Sequence, residues 1–349
     1  MLKRLLNWLP FLLVLIIVLL WSGWQQLSSH TLNKTVQFTD NLYELKAGTS
    51  VRSLCRSWQQ AQHLTALDCQ VLKLYLKQHP VMGQLQQGVY RVPQTLALNE
   101  ALSLFQSGKV AQFSVTLIEG ETLAQSWQRV AELPYLQQDV SDVNALAVLI
   151  SWPEEWGKLA VTGRVEQELE GLFYPDTYFY TANSKASDIW RRAHVVLKTE
   201  LERYWQQRQP TLPLQSPYEL LIMASIIEKE SGLQSERALV SSVFINRIHK
   251  NMRLQTDPTV IYGLTDYSGR ITRANLRDPH AYNTYRHHGL PPGPISLVSR
   301  SALIAAAQPD VSDYYYFVSR GDGSHVFSQS LEQHNAAVRK YILGQNNDN

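Results

Sequence analysis

The chain has 349 residues and a formal net charge of +2. This length allows two or three domains with a substantial core. The charges are well mixed and form no Lys/Arg-rich run, so they give no reason to expect a nucleic-acid partner. The two cysteines, Cys55 and Cys69, fit no common zinc pattern, and the sequence leaves open whether they are buried thiols or one disulfide.

The first predicted element is the apolar stretch at residues 5–24. At about 1.5 Å per residue it spans roughly 30 Å, enough to cross the hydrocarbon core of a bilayer. Lys3 and Arg4 precede it and no Lys or Arg follows closely, which predicts an N-terminus on the cytoplasmic side. We predict a cytoplasmic tail at 1–7 and a single transmembrane anchor at 8–24. A cleaved signal peptide is the alternative, but no A-x-A-like site follows.

The next segments predict a linker and a small module. Residues 25–35 are hydrophilic and are expected to form the linker. Residues 36–112 are expected to form a βααβ-type accessory module, either a spacer or a carbohydrate-binding unit. Its predicted elements are a strand at 42–45, helices at 50–58 and 66–78, a strand at 88–92 and a helix at 99–105.

The sequence pattern of residues 113–349 predicts one larger domain of helices and strands. A strand predicted at 113–118 is followed by helices at 124–132, 187–207 and 236–250. The predicted fold class is therefore α+β, with one N-terminal transmembrane helix, a small βααβ module and a larger α+β domain.

The most informative element is a helix expected between residues 216 and 232. Ser216 can cap it, Pro217 suits the first helical position, and Glu219 would complete an S-x-x-E capping box. Gly232 would end the helix. Both ends of this element are therefore predicted by local signals.

This helix carries two carboxylates in its last turn. Met223, Ile226, Ile227 and Glu230 share one apolar stripe, whereas Glu228 points to roughly the opposite side. The apolar surroundings and the negative end of the helix dipole both disfavour an ionised Glu230. Glu230 is thus the candidate general acid, and Glu228 is expected to be a structural carboxylate paired with an Arg.

Three polar and aromatic loops are expected after this helix, at 254–263, 281–285 and 289–295. Aromatic faces stack on the C–H surfaces of sugars, amides bind hydroxyl groups, and Pro and Gly fix the shape of a loop. The three loops therefore favour a carbohydrate groove, with well-packed turns as the alternative.

No metal or cofactor site is predicted. The adjacent pair His287 and His288 has no supporting cluster of Asp, Glu or Cys, and adjacent side chains rarely chelate one ion. His325 and His334 are expected to have structural roles.

The order and spacing of five sequence blocks resemble the YceG-like (MltG) family of endolytic murein transglycosylases. The blocks are A-S-I-I-E-K-E at 224–230, V-F-I-N-R at 243–247, L-Q-T-D-P-T-V-I-Y-G at 254–263, Y-N-T-Y at 282–285 and G-L-P-P-G at 289–293. The anchor and the small module match as well, which implies a LysM-like module at 36–112 and a YceG-like catalytic domain at 113–349. The catalytic residue of the family is the second Glu of the E-K-E motif, which falls on Glu230.

The resemblance implies a membrane-anchored, endolytic lytic transglycosylase. Such enzymes cleave the β-1,4 bond between N-acetylmuramic acid and N-acetylglucosamine in nascent glycan strands of peptidoglycan. One carboxylic acid protonates the glycosidic oxygen and then, as a carboxylate, takes the proton of the muramic C6 hydroxyl, which leaves a 1,6-anhydro end. The resemblance also implies termination of strand elongation, a periplasmic catalytic domain at the inner membrane, no cofactor, and action beside penicillin-binding synthases.

Five further residues are predicted to bind sugar hydroxyl or acetamido groups, or to orient the catalytic acid. They are Gln255, Asp257, Tyr282, Asn283 and Thr284. For each of them a hydrogen bond within a buried turn is the alternative, and Asp257 before Pro258 is also typical of a turn.

Two functions of other classes stay open. The first is a hydrolytic muramidase that uses Glu230 with Asp257 or Glu228 and a water molecule. The second is a non-enzymatic scaffold that binds peptidoglycan through the small module and recruits cell-wall synthases.

Overall fold

The computed structural model of the protein describes residues 2–344, with side chains from Trp8 onward. The described chain divides into two compact units. Unit 1 comprises the residues up to Phe113 together with Tyr180–Asn183, and unit 2 comprises the remainder. Each unit mixes helices and strands, so the α+β class is confirmed.

Unit 1 combines four helices with two small antiparallel sheets, in which β1 pairs with β4 and β2 with β3. Its elements are α1 (Leu2–Leu32), β1 (Thr35–Gln37), β2 (Leu42–Leu45), α2 (Val51–Gln60), α3 (Ala66–Gln78), β3 (Gly88–Arg91), β4 (Thr95–Ala97) and α4 (Leu98–Ser107). The predicted order of strand, helix, helix, strand and helix is confirmed, and β1 and β4 add a second strand pair.

Helix α1 contains a segment, Trp8–Leu32, that is long and apolar enough to cross a membrane, with a mean hydropathy of 1.9. Helix α1 continues as far as Leu32, so the hydrophilic residues predicted as a linker are mostly helical. Ser28 and Thr31 are buried, and this part of α1 packs against α3. The helix persists beyond the apolar stretch because α3 gives its polar end a surface to pack on.

A disulfide between Cys55 in α2 and Cys69 in α3 cross-links the core of unit 1. This settles the question that the sequence left open. The neighbouring core includes Tyr90 and Phe105, whose rings meet edge to face with centroids 5.0 Å apart. The hydroxyl group of Tyr90 donates to the carbonyl of Phe105 at 3.1 Å, so this buried polar atom is satisfied.

The rest of the described chain, up to residue 344, forms eight α-helices and four strands, with β5 paired with β6 and β7 antiparallel to β8. The elements are β5 (Gln112–Thr116), α5 (Leu123–Ala131), α6 (Val165–Glu168), β6 (Thr177–Thr181), α7 (Ala186–Gln206), α8 (Pro217–Glu230), α9 (Arg237–His249), α10 (Asp257–Gly263), α11 (Arg300–Ala307), β7 (Tyr316–Ser319), β8 (His325–Ser328) and α12 (Leu331–Tyr341). The predicted strand at 113–118 and the predicted helices at 124–132, 187–207 and 236–250 correspond to β5, α5, α7 and α9.

Helix α8 lies at the centre of unit 2, in contact with α7, α9, α10 and α11. Every residue from 220 to 227 is buried, so the predicted apolar stripe is part of a helix that is covered on all sides. Beyond residue 227 the last turn is partly exposed, with Lys229 in solvent and Glu228 and Glu230 half-buried. The packing of α8 therefore fixes the position of its C-terminal end.

The ends of α8 differ in part from the prediction. Ser216 caps the helix as expected, because its hydroxyl accepts the backbone N–H of Glu219 at 3.2 Å. The predicted capping box is wrong, since the Glu219 carboxylate accepts the N–H of Gln215 instead, at 2.6 Å. The predicted glycine stop is also wrong: the last helical residue is Glu230, the capping residue Ser231 is already extended at φ −123°, and Gly232 is not left-handed.

The first of the three predicted loops is not a loop throughout. Residues Asp257–Gly263 form helix α10. Pro258 occupies its first turn, where a missing N–H has no cost. The Asp-Pro pair thus begins a short helix instead of closing a turn, while 281–285 and 289–295 are irregular as predicted.

Candidate active site

The last residue of α8, Glu230, is held by a chain of hydroxyl groups. The hydroxyl of Thr256 donates to Oε2 of Glu230 at 2.8 Å. Thr256 is itself fixed, since its backbone N–H donates to the hydroxyl oxygen of Thr284 at 3.1 Å. Thr259 lies 2.8 Å from Thr284 through their hydroxyl groups and donates to the carbonyl of Thr256 at 2.8 Å. The Glu230 carboxyl group therefore has a defined orientation.

The pKa of Glu230 is raised above its ordinary value. Burial is the largest cause, because it disfavours the charged form, and the nearby Asp257 carboxylate adds to the shift. The hydrogen bond from Thr256 and the electrostatic interactions with His325 and Arg247 act in the opposite direction. The effect of burial exceeds these opposing effects, so Glu230 keeps its proton to a higher pH than an exposed Glu.

Asp257 and Gln255 flank Thr256 and are both exposed. Oδ1 of Asp257 accepts the hydroxyl of Tyr285 at 2.7 Å. Gln255 has a left-handed backbone with φ +51°, and its N–H donates to the carbonyl of Thr284 at 3.2 Å. Both side chains are thus accessible beside the residue that holds Glu230.

Asn283 and Tyr282 are buried, in contrast to Gln255 and Asp257. The amide of Asn283 donates to the carbonyl of Asp278 at 2.6 Å, and its oxygen accepts the N–H of Tyr285 at 2.9 Å. The ring of Tyr282 lies 4.9 Å from that of Tyr262. Asn283 therefore supports the loop that carries Tyr285 and Thr284, whereas the Tyr282 hydroxyl is buried without a hydrogen-bond partner among residues 2–344.

Glu228 lies in the same helical turn but has entirely different partners. Its two carboxylate oxygens accept from Arg237, with Nη2–Oε1 at 2.8 Å and Nη1–Oε2 at 3.1 Å. Oε2 also accepts the backbone N–H of Ser299 at 2.8 Å. The prediction that Glu228 pairs with an Arg is confirmed.

A third carboxylate near this region, Glu170, was not predicted. It is buried and accepts the backbone N–H groups of Leu123 at 2.9 Å and Gly171 at 3.2 Å, and the hydroxyl of Tyr262 at 3.1 Å. Burial raises its pKa to about 8, against the three hydrogen bonds that lower it. No sequence signal singles out Glu170, because its tyrosine partner is 92 residues away.

His325 and Arg247, which act on Glu230, were not predicted as site residues either. Glu236 accepts from His325 twice, from Nδ1 at 2.8 Å and from the backbone N–H at 3.2 Å. Arg247 donates to the carbonyls of Tyr315 and Leu254, each at 2.6 Å. Both side chains are therefore held in place, His325 by Glu236, 89 residues away, and Arg247 partly by Tyr315, 68 residues away.

The adjacent pair His287 and His288 contacts two separate carbonyl groups. Nε2 of His287 lies 3.2 Å from the carbonyl of Pro279, and Nδ1 of His288 lies 3.0 Å from that of Asn251. Within residues 2–344, no group of three or more His, Cys, Asp or Glu side chains is arranged to hold a metal ion.

The sequence of the chain matches the model of a known protein family. The sequence model of the YceG-like family matches residues 43–340, which is most of the chain. The chain belongs to the YceG-like family. The match includes α8, both of its terminal carboxylates and the residues that surround Glu230.

Relatives of this YceG-like chain include proteins named endolytic murein transglycosylase. The protein of that name from Bacillus subtilis is 32% identical over 282 residues, which cover 78% of this chain and 77% of the relative. The protein of the same name from Streptococcus pneumoniae is 24% identical over 285 residues, which cover 74% of this chain but only 51% of the relative.

A crystal structure of a yceG-like protein from Listeria monocytogenes has a similar fold. The TM-score is 0.56 at 30% sequence identity, and the match covers 87% of this chain and 98% of that protein. The fold is therefore shared across most of this YceG-like chain.

Proposed function

We propose that this protein is a membrane-anchored lytic transglycosylase that cleaves glycan strands of peptidoglycan, with Glu230 as its catalytic acid. The observation that carries the proposal is the Glu230 carboxyl group itself. It is oriented by Thr256 at 2.8 Å and its pKa is raised by burial. The membership of the YceG-like family and the name of the Bacillus subtilis relative support the same activity.

The proposed reaction needs one carboxyl group in two states. Protonated Glu230 donates its proton to the oxygen of the β-1,4 bond between N-acetylmuramic acid and N-acetylglucosamine. As a carboxylate it then accepts the proton of the muramic C6 hydroxyl, whose oxygen bonds to C1 and closes a 1,6-anhydro ring. The raised pKa of Glu230 supports the first step, because the acid form must be present before cleavage.

The surroundings of Glu230 suggest separate roles for the other predicted residues. Gln255 and Asp257 are exposed and are proposed to contact the sugar. Thr284 is buried and is proposed to orient Glu230 through Thr256. Asn283 is buried as well and is proposed to shape the loop.

Tyr282 is the fifth predicted contact residue. Its hydroxyl would lie 3.0 Å from a Cβ atom built on Gly293, so these two residues approach closely. We propose that Tyr282 and Gly293 hold the two polar loops together beside the sugar groove, because a side chain at position 293 would crowd the hydroxyl groups of Tyr218 and Tyr282.

The anchor and the small module complete the proposal. The apolar segment of α1 would hold the chain in the inner membrane with a cytoplasmic N-terminus and a periplasmic catalytic unit. Unit 1 would serve as a LysM-like module. Cleavage of nascent strands beside penicillin-binding synthases would then terminate their elongation.

One observation favours a hydrolytic muramidase as the second candidate. Asp257 is exposed and close enough to Glu230 to raise its pKa, so a second carboxylate is present at the site. Glu228 does not suit this role, because both of its oxygens are bound to Arg237. A muramidase of this kind would use Asp257 and a water molecule.

The test is digestion of purified glycan strands by the wild type, Glu230→Gln and Asp257→Asn, with mass spectrometry of the products. We expect the wild type to leave anhydro ends, which are lighter by one water than hydrolysed ends. Glu230→Gln should lower the rate by about 10²–10⁴-fold, and Asp257→Asn should retain anhydro products. Hydrolysed ends that disappear in Asp257→Asn would establish the muramidase, and equal activity of Glu230→Gln would refute both.

A further inference from the structure

A groove in unit 1 runs between α2 and α3, away from the residues proposed for catalysis. Its volume is about 480 Å³, and the Cys55–Cys69 disulfide lies in its lining. Four basic residues also line it: Arg52 and Arg56 from α2, and Lys73 and Lys77 from α3. The other lining residues are apolar or carry amides. Among the residues that the structure describes, no Asp, Glu or aromatic residue lines the groove. The groove is therefore basic with an apolar floor.

The placement of the four cations is unfavourable for the protein alone. Arg52 and Arg56 are four residues apart on α2, and Lys73 and Lys77 are four residues apart on α3. Like charges at this spacing face the same side of a helix and repel each other. All four side chains are exposed, and within residues 2–344 none of them forms an ion pair with a carboxylate. An external anion would offset this repulsion.

The lining distinguishes between kinds of anionic ligand. A sugar site would need aromatic platforms, whereas this groove has no aromatic residue and only two amides, Gln59 and Gln70, beside four cations. Its floor consists of the disulfide and aliphatic side chains such as Leu72 and Leu76. A ligand with a negative head and an apolar body matches a basic rim above such a floor.

The direction of α3 places one end of the groove beside the predicted membrane surface. The hydroxyl of Thr31 donates to Asp68 at 3.4 Å near the start of α3, and Nε1 of Trp24 donates to Gln78 at 3.2 Å at its end. Helix α3 therefore runs back along α1 toward the membrane-spanning segment. Tryptophan is typical of the membrane interface, so Trp24 marks that level. Lys77 precedes Gln78 and lies at the same level.

We propose that the α2–α3 groove binds an anionic phospholipid of the membrane that α1 spans. The phosphate group would contact the four basic side chains, and part of an acyl chain would lie on the disulfide floor. The inference rests on the membrane anchorage proposed above but not on the catalytic role of Glu230. The bound lipid would hold unit 1 against the membrane surface.

The test is native mass spectrometry of the full chain in detergent with equal amounts of phosphatidylglycerol and phosphatidylcholine. The groove variant is Arg56→Gln with Lys73→Gln. The matched control is Arg91→Gln with Lys109→Gln, which removes one exposed Arg and one exposed Lys of the same unit outside the groove lining. We expect the wild type and the control to retain phosphatidylglycerol preferentially, and the groove variant to retain about tenfold less of it.

Other outcomes would overturn the proposal. Equal retention of phosphatidylglycerol by both variants would show that any bound lipid is held elsewhere, and equal retention of both lipids by the wild type would show no anion site. Loss of bound lipid on addition of millimolar phosphate or of a muramyl peptide, with the peptide itself retained, would assign the groove to a soluble anion. Melting curves confirm folding of each variant, and cleavage of soluble glycan by the groove variant separates this inference from the proposed function.

Discussion

Glu228 and Arg237 form a two-pronged ion pair at the end of the helix that carries the candidate acid. Their side chains are only 5% and 7% exposed. Nη1 of Arg237 also donates to the hydroxyl groups of Ser299 and Ser301, each at 2.6 Å. The pair therefore links the end of α8 to the start of α9 and α11. Two carboxylates that are two residues apart thus have different surroundings: Glu228 is paired with Arg237, whereas burial raises the pKa of Glu230.

Glu228→Gln is expected to destabilise unit 2 by about 3 kcal/mol, because it leaves the buried Arg237 charge without its partner. Denaturant unfolding measures the change. The matched control is Glu230→Gln, which should leave stability equal or slightly higher, since burial already disfavours the Glu230 charge. A similar loss of stability in both variants would contradict this division of roles.

Thr256→Val is expected to shift the pH dependence of glycan cleavage. The Thr256 hydroxyl lowers the pKa of Glu230 by donating to its charged form. Its removal should raise that pKa, so the acid form persists and the loss of activity at rising pH should move to higher pH. Thr256→Ser keeps the hydroxyl and serves as the control. If the decrease of activity at high pH moves to lower pH or does not move, Thr256 does not lower the pKa of Glu230.

The sequence was sufficient to predict α8 and the different surroundings of its two carboxylates, because both depend on local signals. Ser216 and Pro217 mark the start of a helix in any context, and the spacing of Glu228 and Glu230 places them on different sides. The end of the helix was mispredicted. Gly232 was expected to stop it, but Ser231 ends it in an extended conformation, with its carbonyl accepting from Arg237 at 3.2 Å.

Contacts between distant parts of the chain could not be predicted from the sequence. Glu236 and His325 are 89 residues apart, so no spacing relates them. The same applies to Glu170, whose environment comes from α5 and α10. Residues 25–35 looked like a linker because they are hydrophilic, yet most of them extend α1 onto α3. Tertiary packing overrides local composition in each of these cases.

Glu170 should make the stability of unit 2 fall as the pH rises. Its pKa is about 8 in the folded chain against an ordinary value of 4.5. Between these two values the folded state binds more protons than the unfolded state, so the free energy of unfolding decreases with increasing pH. The stabilisation by protonated Glu170 is fully present below the ordinary pKa and is lost above the raised pKa. Its size is about 1.4 kcal/mol for each unit by which the two pKa values differ.

Glu170→Gln is expected to flatten this dependence, because the amide is isosteric and does not titrate. The variant should match the wild type at acid pH and exceed it above the raised pKa. Unfolding in denaturant over a pH series measures both curves, with Glu166→Gln at an exposed position as the control. Parallel curves for the wild type and Glu170→Gln would contradict the prediction.

Loss of the disulfide should weaken unit 1 without changing the chemistry of Glu230. Cys55 and Cys69 are 14 residues apart, and closing a loop of this size stabilises a fold by about 3 kcal/mol. We expect Cys55→Ser with Cys69→Ser to lower the unfolding midpoint of unit 1 by a corresponding amount, while cleavage of soluble glycan stays near the wild-type rate. Reductant should reproduce the effect in the wild type and leave the double variant unchanged. An unfolding midpoint of the wild type that does not respond to reductant would show that the disulfide contributes nothing to the stability of unit 1.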